Sequence, residues 1–363
     1  MIKSIDLKKQ DKKHHKNILR DIAKVINNQN FISGVEVKKF ESRFAEVCGT
    51  KYAIGVGNGT DALYMALKAL NLKSGAEVIL PAMTWKSTLL AITNMGLTPV
   101  IADINANDSN YSLKDLKKKI TKKTKAIIVV HLYGNPCDTF KIKKIINKKK
   151  IFIIEDAAQA HGAYDFESKK KVGSIGHIAC FSLYPAKNLG AYGDAGCVTT
   201  NSTKFAKKIM QLRNIGSINK FNCEVSGINS RLDTIQAVIL LNKIKDLNQN
   251  NKKRQNIANY YNKNIINKKI VKLDYKPGCV FHQYVIKSKF KKNIINLFKK
   301  NKIEYGEHYP ISINKLNLIK KNFSNKKFPN AEYLAKYGLS LPINPLISLN
   351  DLKKICKVLN SLN

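Results

Sequence analysis

The chain has 363 residues, of which 44% are hydrophobic and 25% are charged, and this composition predicts a globular protein with a large core. No apolar run reaches the roughly 18 residues that a membrane-spanning helix needs, and the first residues lack a signal-peptide pattern, so we expect a cytoplasmic protein with no membrane partner. The net charge of +39 is spread as lysines over the whole length without a nucleic-acid-binding motif, so we interpret it as a composition bias.

The positions of the cysteines argue against a disulfide-bonded or metal-binding framework. Seven cysteines are scattered singly, at positions 48, 137, 180, 197, 223, 279 and 356. No CxxC or CxxH spacing occurs, so the sequence predicts neither a disulfide network nor a zinc site. We expect free, buried thiols and no bound metal.

The first recognisable pattern is helical and leads into a glycine-rich turn. Residues 1–30 and 37–49 have the apolar spacing of amphipathic helices, and Tyr52–Val56 predicts a strand. Glycines at 55, 57 and 59 lead from this strand into a helix at 60–70. The free N–H groups at such a helix start can hold a phosphate, although glycine-rich turns have many other uses. The turn matches neither GxGxxG nor GxxxxGK[ST], which disfavours a dinucleotide or Walker-type site.

Continuous apolar strands follow, at 77–81, 99–104, 126–131, 151–155 and 178–183. They alternate with helical segments, which indicates a parallel sheet covered by helices on both faces. Ligands of such sheets gather at the carboxyl ends of the strands. Asp156, Gln159 and Lys187 lie at or just beyond such ends, as does the glycine turn.

The second half of the chain changes pattern. Helical segments at 204–214 and 234–247 are followed, from about residue 250, by short strands and helices and a closing helix at 349–362. We predict a large domain at 1–245, which includes the N-terminal helical segment 1–50, and a small α+β domain at 246–363.

Four features point to one kind of chemistry when they are taken together. Lys187 lies in a glycine-flanked loop between two apolar runs, where partial burial would lower the pKa of its amine and make it a nucleophile. Asp156 follows an apolar strand, and Trp85 lies in a strand-end loop. Alone, each has a structural explanation: a surface lysine, a helix cap or a packed ring. With the phosphate-suited helix start, they are the parts that pyridoxal phosphate requires.

At these residues the chain resembles the DegT/DnrJ/StrS class of pyridoxal-phosphate-dependent sugar-nucleotide aminotransferases. The resemblance covers nearly the whole chain and is carried by GNGTDAL (57–63), PAMTW (81–85), EDAAQAHGA (155–163), FSLYPAKNLGAYGDAG (181–196), GINSRLDTIQA (227–237) and HYP (308–310). It implies the three-layer α/β architecture of fold-type-I transferases, with a mostly parallel central sheet and a smaller C-terminal α+β domain.

The resemblance also implies roles at the cofactor. Lys187 would form the Schiff base and move a proton between the substrate carbon and the cofactor. Asp156 would pair with the ring nitrogen, Gln159 would bind the phenolic oxygen and Trp85 would stack on the ring. The phosphate would be held by Gly59, Thr60, Asp61 through its backbone, and Ser182.

Other implied roles concern the substrate and a second subunit. Asn229, in the GxNxR segment, would reach the phosphate of the neighbouring subunit, which implies a homodimer with shared sites. The candidate substrate contacts are Tyr184, Asn188, Arg231, His308 and Tyr309. For Arg231, a structural ion pair remains open as the alternative. For the His308–Tyr309 pair, the alternative is a packed loop.

The implied reaction is transamination from L-glutamate to a keto-sugar carried on a nucleotide diphosphate. The HYP loop favours carbon 3 of the sugar over carbon 4, and the basic surface would suit the diphosphate. Two alternatives stay open. One branch of the family has histidine in place of the lysine and acts as a dehydratase, although Lys187 favours amination. The other alternative is a basic, nucleic-acid-associated regulatory protein on the same fold.

Overall fold

The computed structural model describes residues 1–147, 149–217, 219, 222–323 and 326–362. The helices are α1 Leu7–Asp11, α2 His15–Asn27, α3 Val35–Cys48, α4 Gly59–Ala69, α5 Lys86–Thr93, α6 Leu113–Lys119, α7 Thr139–Ile145, α8 Thr203–Arg213, α9 Thr234–Lys243, α10 Leu247–Asn264, α11 Lys291–Lys300, α12 Pro329–Tyr337 and α13 Leu349–Asn360. The strands are β1 Tyr52–Val56, β2 Glu77–Pro81, β3 Thr98–Ala102, β4 Thr124–Val130, β5 Phe152–Asp156, β6 Ile178–Ser182, β7 Gly196–Thr200, β8 Val271–Lys272, β9 Tyr284–Lys287 and β10 Gly338–Leu341.

A seven-stranded sheet in the order β1-β7-β6-β5-β4-β2-β3 forms the centre of the larger part. The pairs β2/β3, β2/β4, β4/β5 and β5/β6 are parallel, as the sequence predicts. Strand β7 is antiparallel to both of its neighbours, β6 and β1. A parallel neighbour needs a crossover connection, usually through a helix, whereas the segment 183–195 contains no helix and returns the chain directly. The sheet is therefore mostly parallel rather than wholly so.

Both faces of this sheet are covered, which gives the three-layer α/β architecture. Alternate residues of β6 contribute to different apolar clusters: Cys180 packs with residues of α4 and α8, and Phe181 packs with residues of α3 and α9. Because successive strand side chains point to opposite faces, these clusters lie on the two sides of the sheet. The fold class is therefore the one expected from the sequence.

A second sheet, antiparallel in the order β10-β9-β8, packs with α10, α11 and α13. The domain boundary at residues 245 and 246 remains a prediction. One detail departs from a simple division: Ile2 belongs to the apolar cluster of this smaller sheet and forms a parallel bridge with Ile303. The first residues of the chain thus pack on the C-terminal part.

Two further expectations concern thiols and membrane segments. All seven cysteines are free, and six are buried, but Cys223 is exposed, so the expectation of burial is wrong there. Cys223 lies in a surface loop, where its Sγ is within hydrogen-bonding distance of the carbonyls of Ile215 and Val225. Among the described residues, no helix has the length and apolar character needed to cross a membrane.

Candidate active site

A cavity of about 810 Å³ opens at the carboxyl ends of three neighbouring strands, β4, β5 and β6. Its wall includes Val130, Asp156 and Ser182, which are the last residues of these strands. The loops that follow add Gln159 and Lys187. The ligand position expected for a parallel sheet is therefore the position of the cavity.

Lys187 is held at this cavity by a tight turn. Its backbone N–H donates to the carbonyl of Tyr184 at 2.9 Å, and the chain folds back so closely that a Cβ on Gly190 would overlap the backbone of Pro185. The side chain is partly buried. Burial lowers the pKa of the Lys187 amine to about 8, although the negative charge of Asp156 acts in the opposite direction. A lysine with this pKa is partly unprotonated, and therefore nucleophilic, at neutral pH.

The lowered pKa predicts unusual reactivity of Lys187 in the protein without cofactor. Only the unprotonated amine reacts with an electrophile such as acetic anhydride, so labelling of Lys187 should rise through a midpoint near pH 8. The exposed Lys268 is the internal control for the labelling reaction. Competitive labelling followed by peptide mass spectrometry measures both midpoints. A Lys187 midpoint near the ordinary value of a free lysine, about 10.4, would contradict the electrostatic account.

Asp156 is the second ionisable group on the wall, and it is 6% exposed. Burial raises the pKa of its carboxyl above the usual value, while the Thr88 hydroxyl, which donates at 2.8 Å, and the Ala158 N–H, at 3.3 Å, oppose that rise. Thr88 is fully buried and pairs with Thr84 at 2.9 Å, so two hydroxyls fix the carboxyl in place. Sequence reasoning gave neither threonine a role, although Thr84 lies within the PAMTW segment (81–85) and Thr88 follows shortly after it. A bound cation beside Asp156 would stabilise its charged form.

The amino end of α4 forms the part of the wall that suits a phosphate. Gly59 comes so close to β6 that an added Cβ would lie 2.7 Å from the Cβ of Ser182. The Thr60 hydroxyl pairs with Ser87 at 2.8 Å. Intrahelical bonding starts with the N–H of Ala62, and the N–H of Asp61 is capped by Asn58 Oδ1 at 2.8 Å. The N–H groups of Gly59 and Thr60 precede that point and are the ones a phosphate could use.

The side chain of Asp61 is held in hydrogen bonds within the protein. Its Oδ2 accepts from the hydroxyl of Ser230 at 2.6 Å and from Asn58 Nδ2 at 2.9 Å. Ser230 in turn accepts from the N–H of Gly57 at 2.9 Å. This network links the segment at 227–237 to the glycine turn and stabilises the start of α4.

Aromatic and amide groups form another wall of the cavity. The ring of Trp85 is 49% exposed, and its centroid lies 5.1 Å from that of Tyr309. Gln159 Nε2 donates to the hydroxyl of Tyr309 at 2.9 Å, and Gln159 Oε1 accepts from the N–H of Tyr133 at 2.6 Å. The Tyr133 hydroxyl donates to the carbonyl of His308. One network therefore orders Gln159, Tyr309 and the backbone before it.

His308 also faces the cavity, from a loop that packs beside β10 of the smaller sheet. Its Nδ1 pairs with the Ser340 hydroxyl at 2.8 Å. Burial, with the nearby positive charge of Lys187, lowers the pKa of His308 to about 4. The imidazole is therefore neutral at pH 7 and can donate or accept a hydrogen bond without adding charge.

Not all the residues proposed from the sequence reach the cavity of a single chain. Tyr184 lines it with its exposed ring, whereas Asn188, Asn229 and Arg231 do not line it. Asn188 is buried, and its amide bonds to Asn251 Oδ1 at 2.9 Å, the Val280 carbonyl at 3.0 Å and His282 Nδ1 at 3.1 Å. This amide thus joins the loop after Lys187 to α10 and to the segment that leads into β9.

The other two residues lie in the segment at 227–237. Arg231 donates to Asn214 Oδ1 at 3.1 Å, and Asn229 is exposed and bridges to Asn214 through the backbone. An exposed Asn229 outside the cavity has the position that a residue needs if it serves a neighbouring subunit.

A buried pair supports the end of β5 from behind. Glu155 is fully buried and accepts from His131 Nε2 at 3.0 Å and from the N–H groups of Gly173, Ile175 and Gly176. Burial raises its pKa, but these donors outweigh burial and hold the pKa below the usual value. His131 Nδ1 accepts from the N–H of Cys137 at 3.0 Å, so its proton is on Nε2. The pair fixes the strand end that carries Asp156.

The chain is similar to known proteins over nearly its whole length. A model of the DegT/DnrJ/EryC1/StrS aminotransferase family matches residues 12–360. The dTDP-3-amino-3,6-dideoxy-alpha-D-galactopyranose transaminase of Aneurinibacillus thermoaerophilus is 39% identical over 362 residues, covering 99% of this chain and 99% of that protein. The UDP-2-acetamido-2-deoxy-3-oxo-D-glucuronate aminotransferase of Pseudomonas aeruginosa is 34% identical over 363 residues, covering 99% of this chain and 100% of that protein.

The fold has a close match among solved structures. The crystal structure of S. venezuelae DesV in complex with a ketimine intermediate has a TM-score of 0.94 and 31% identity to this chain. The match covers 99% of this chain and 97% of DesV, so both sheets belong to the shared architecture.

Proposed function

We infer the function from the premise that this chain belongs to the DegT/DnrJ/EryC1/StrS aminotransferase family. It is an aminotransferase, and its cofactor is pyridoxal phosphate. We propose that it moves an amino group from L-glutamate to carbon 3 of a keto-sugar carried on a nucleotide diphosphate, in amino-sugar biosynthesis. The observation that carries this proposal is that Lys187, with a pKa of about 8, and the buried carboxyl of Asp156 share one cavity.

The residues on the wall fit the cofactor. The missing side chain at Gly59 lets the start of α4 pack closely against Ser182, so Gly59, Thr60 and Ser182 lie together on the cavity wall. Asp156 is a buried carboxyl whose raised pKa would fall again beside a positively charged ring nitrogen. We propose that Gly59, Thr60 and Ser182 hold the phosphate, with Asp61 fixing the start of α4.

Two further wall residues support the proposed position of the ring. The exposed face of Trp85 is available for stacking. Gln159 Nε2 donates to the hydroxyl of Tyr309, and both residues line the cavity. We propose that Trp85 lies against the ring and that Gln159 donates to the phenolic oxygen.

When bound, pyridoxal phosphate supplies an electron-withdrawing ring that stabilises the negative charge left on a carbon when its proton is removed. We propose that Lys187 removes that proton and returns it as a general acid, since its pKa of about 8 lets the amine act in both directions near neutral pH. Asp156 holds positive charge on the ring nitrogen. Thr88 keeps the Asp156 carboxylate oriented through its 2.8 Å hydrogen bond.

The substrate side of the proposal is supported by position and by the relatives. Tyr184, His308 and Tyr309 face the cavity and are the proposed sugar-nucleotide contacts. The two relatives described above are named for sugars with an amino or oxo group at carbon 3, one on dTDP and the other on UDP. We therefore propose amination at carbon 3, and the turnover assay identifies the preferred nucleotide.

Residues outside the cavity enter the proposal through a second subunit. We propose a homodimer in which the exposed Asn229 contributes to the phosphate site of the partner. Asn188 and Arg231 have protein partners in a single chain, so a substrate role for either would require those bonds to be exchanged. The cytoplasmic location stays a prediction from the sequence.

A glutamate-driven turnover assay with nucleotide-linked 3-keto and 4-keto sugars tests this function. We expect stoichiometric 2-oxoglutarate and a 3-amino sugar nucleotide, detected by mass spectrometry and NMR, with little product from the 4-keto compounds. Amination at carbon 4 alone would overturn the choice of ring position. A product that has lost a hydroxyl and gained no nitrogen would assign the protein to the dehydratase reaction instead.

A further inference from the structure

One residue of the cavity wall comes from an unexpected part of the chain. Among the described residues that line the cavity, Ile5 alone comes from the first 50. Its side chain is partly buried, and it lies before α1, in a stretch of six residues with no helix. Contact with a bound ligand would remove this partly buried apolar side chain further from water, which is favourable for isoleucine.

The stretch that carries Ile5 is fixed to the C-terminal part of the chain, next to the smaller sheet. The N–H of Ile2 donates to the carbonyl of Lys302 at 2.8 Å, and the N–H of Glu304 donates to the carbonyl of Ile2 at 2.9 Å. The N–H of Ser4 donates to Glu304 Oε2 at 2.8 Å, and Asn344 donates to the carbonyl of Lys3 at 2.7 Å. These bonds hold the residues before Ile5 as an added strand-like segment.

The residues after Ile5 are fixed to the larger part of the molecule. Asp11, at the end of α1, is 3% exposed and makes an ion pair of 3.1 Å with Lys243 at the end of α9. The ammonium of Lys243 lies 5.0 Å from the ring of Tyr192, in the glycine-rich loop that follows Lys187. The segment 2–11 therefore bridges both parts of the molecule, with Ile5 over the cavity between its two anchors.

The hydrogen bonds of the residues before Ile5 relate its position to the rest of the cavity wall. Glu304, which binds Ser4, is followed within a few residues by His308 and Tyr309. The backbone next to Ile5 is thus bonded to the segment that leads into the proposed sugar-nucleotide contacts, and Ile5 shares the cavity wall with them. A cavity of about 810 Å³ far exceeds the volume of an amino acid, so glutamate would use only the part next to Lys187.

We propose that Ile5 is a specificity-determining residue that contacts the nucleotide-linked sugar and excludes water from it, while making no contact with the amino donor. This inference rests on the proposed function and refines it. The apolar contact stabilises the bound sugar nucleotide by burial of both surfaces. The bonds on either side of Ile5 place its side chain before the substrate arrives, which lowers the entropy lost on binding.

The two half-reactions of Ile5→Ala test the proposal. Conversion of the cofactor by glutamate, followed by its visible absorption, should stay within about twofold of the wild type. The KM for the sugar nucleotide should rise roughly 10-fold, the effect of lost apolar contact in a binding pocket. Ile5→Leu keeps the volume and should restore most of the affinity. Ile266→Ala, which alters an isoleucine that is 75% exposed, is the matched control.

The outcomes separate this inference from the proposed function. An unchanged KM in Ile5→Ala, in an enzyme whose wild type aminates the sugar nucleotide, overturns the inference alone. Equal losses in both half-reactions, with a lower melting temperature, would show that Ile5 only supports the fold and would overturn it too. A wild type that accepts glutamate but aminates no sugar nucleotide contradicts the proposed function itself.

Discussion

Replacement of Lys187 by alanine is expected to reduce turnover about 10⁴-fold, the upper range for loss of a general acid–base group. The physical reason is that no other amine is placed to remove and return the proton. Among the described residues on the cavity wall, Lys187 is the one lysine, and its amine has a pKa of about 8. The purified variant should also lose the visible absorption that depends on the covalent link between the cofactor and the amine.

The control for this variant is Lys268→Ala, which removes an exposed lysine on the smaller part of the molecule. It should leave turnover and absorption unchanged. Melting temperatures of both variants guard against loss of fold. If Lys187→Ala retained wild-type absorption and more than about a tenth of the turnover, another residue would have to supply the proton transfer.

Conversion of Asp156 to asparagine should have the second-largest effect, a loss of roughly 10²–10³-fold in turnover, comparable to removal of a preorganised electrostatic group. Asparagine keeps the shape and can still accept from Thr88, but it has no negative charge to hold a protonated ring nitrogen. The cofactor should also dissociate faster, which dialysis followed by absorption measures.

A second readout of this variant does not depend on activity. The negative charge of Asp156 raises the pKa of Lys187, so its removal should lower the labelling midpoint of Lys187 below about 8. Asp274→Asn, at an exposed position, is the matched control and should leave the midpoint in place. A midpoint that rises in Asp156→Asn would contradict the proposed coupling between these two groups.

The strands of the larger sheet could be predicted from the sequence because they are continuous apolar runs. The predicted limits of β1 and β2 coincide with the observed Tyr52–Val56 and Glu77–Pro81. The side chains of both strands are buried almost throughout. The cavity position followed from the same pattern, since parallel strands bring their carboxyl ends together.

The antiparallel direction of β7 could not be predicted from the apolar pattern of the sequence. An apolar strand reads the same in either direction, and only the missing crossover helix in 183–195 distinguishes the two cases. The role of Asn188 was equally hidden, because its partners Asn251 and Val280 are far along the chain. Local patterns carry no information on such contacts.

The support around Asp156 shows the same limit at the candidate site. The carboxyl is fixed by Thr88, which is 68 positions away in sequence, and Thr88 by Thr84. Ile5 reaches the cavity only because the segment around it pairs with residues near 303. Motifs identify the groups that react, whereas the groups that position them are recognisable only once the chain is folded.

The central claim is that Lys187 carries the cofactor, and reduction with borohydride tests it most directly. Reduction makes the link between cofactor and amine permanent, and a proteolytic digest then shows by mass spectrometry which peptide bears the added mass. The account predicts one modified peptide, containing Lys187, and loss of that modification in Lys187→Ala. A modification at any other lysine, or none in a protein that still turns over glutamate, would contradict it.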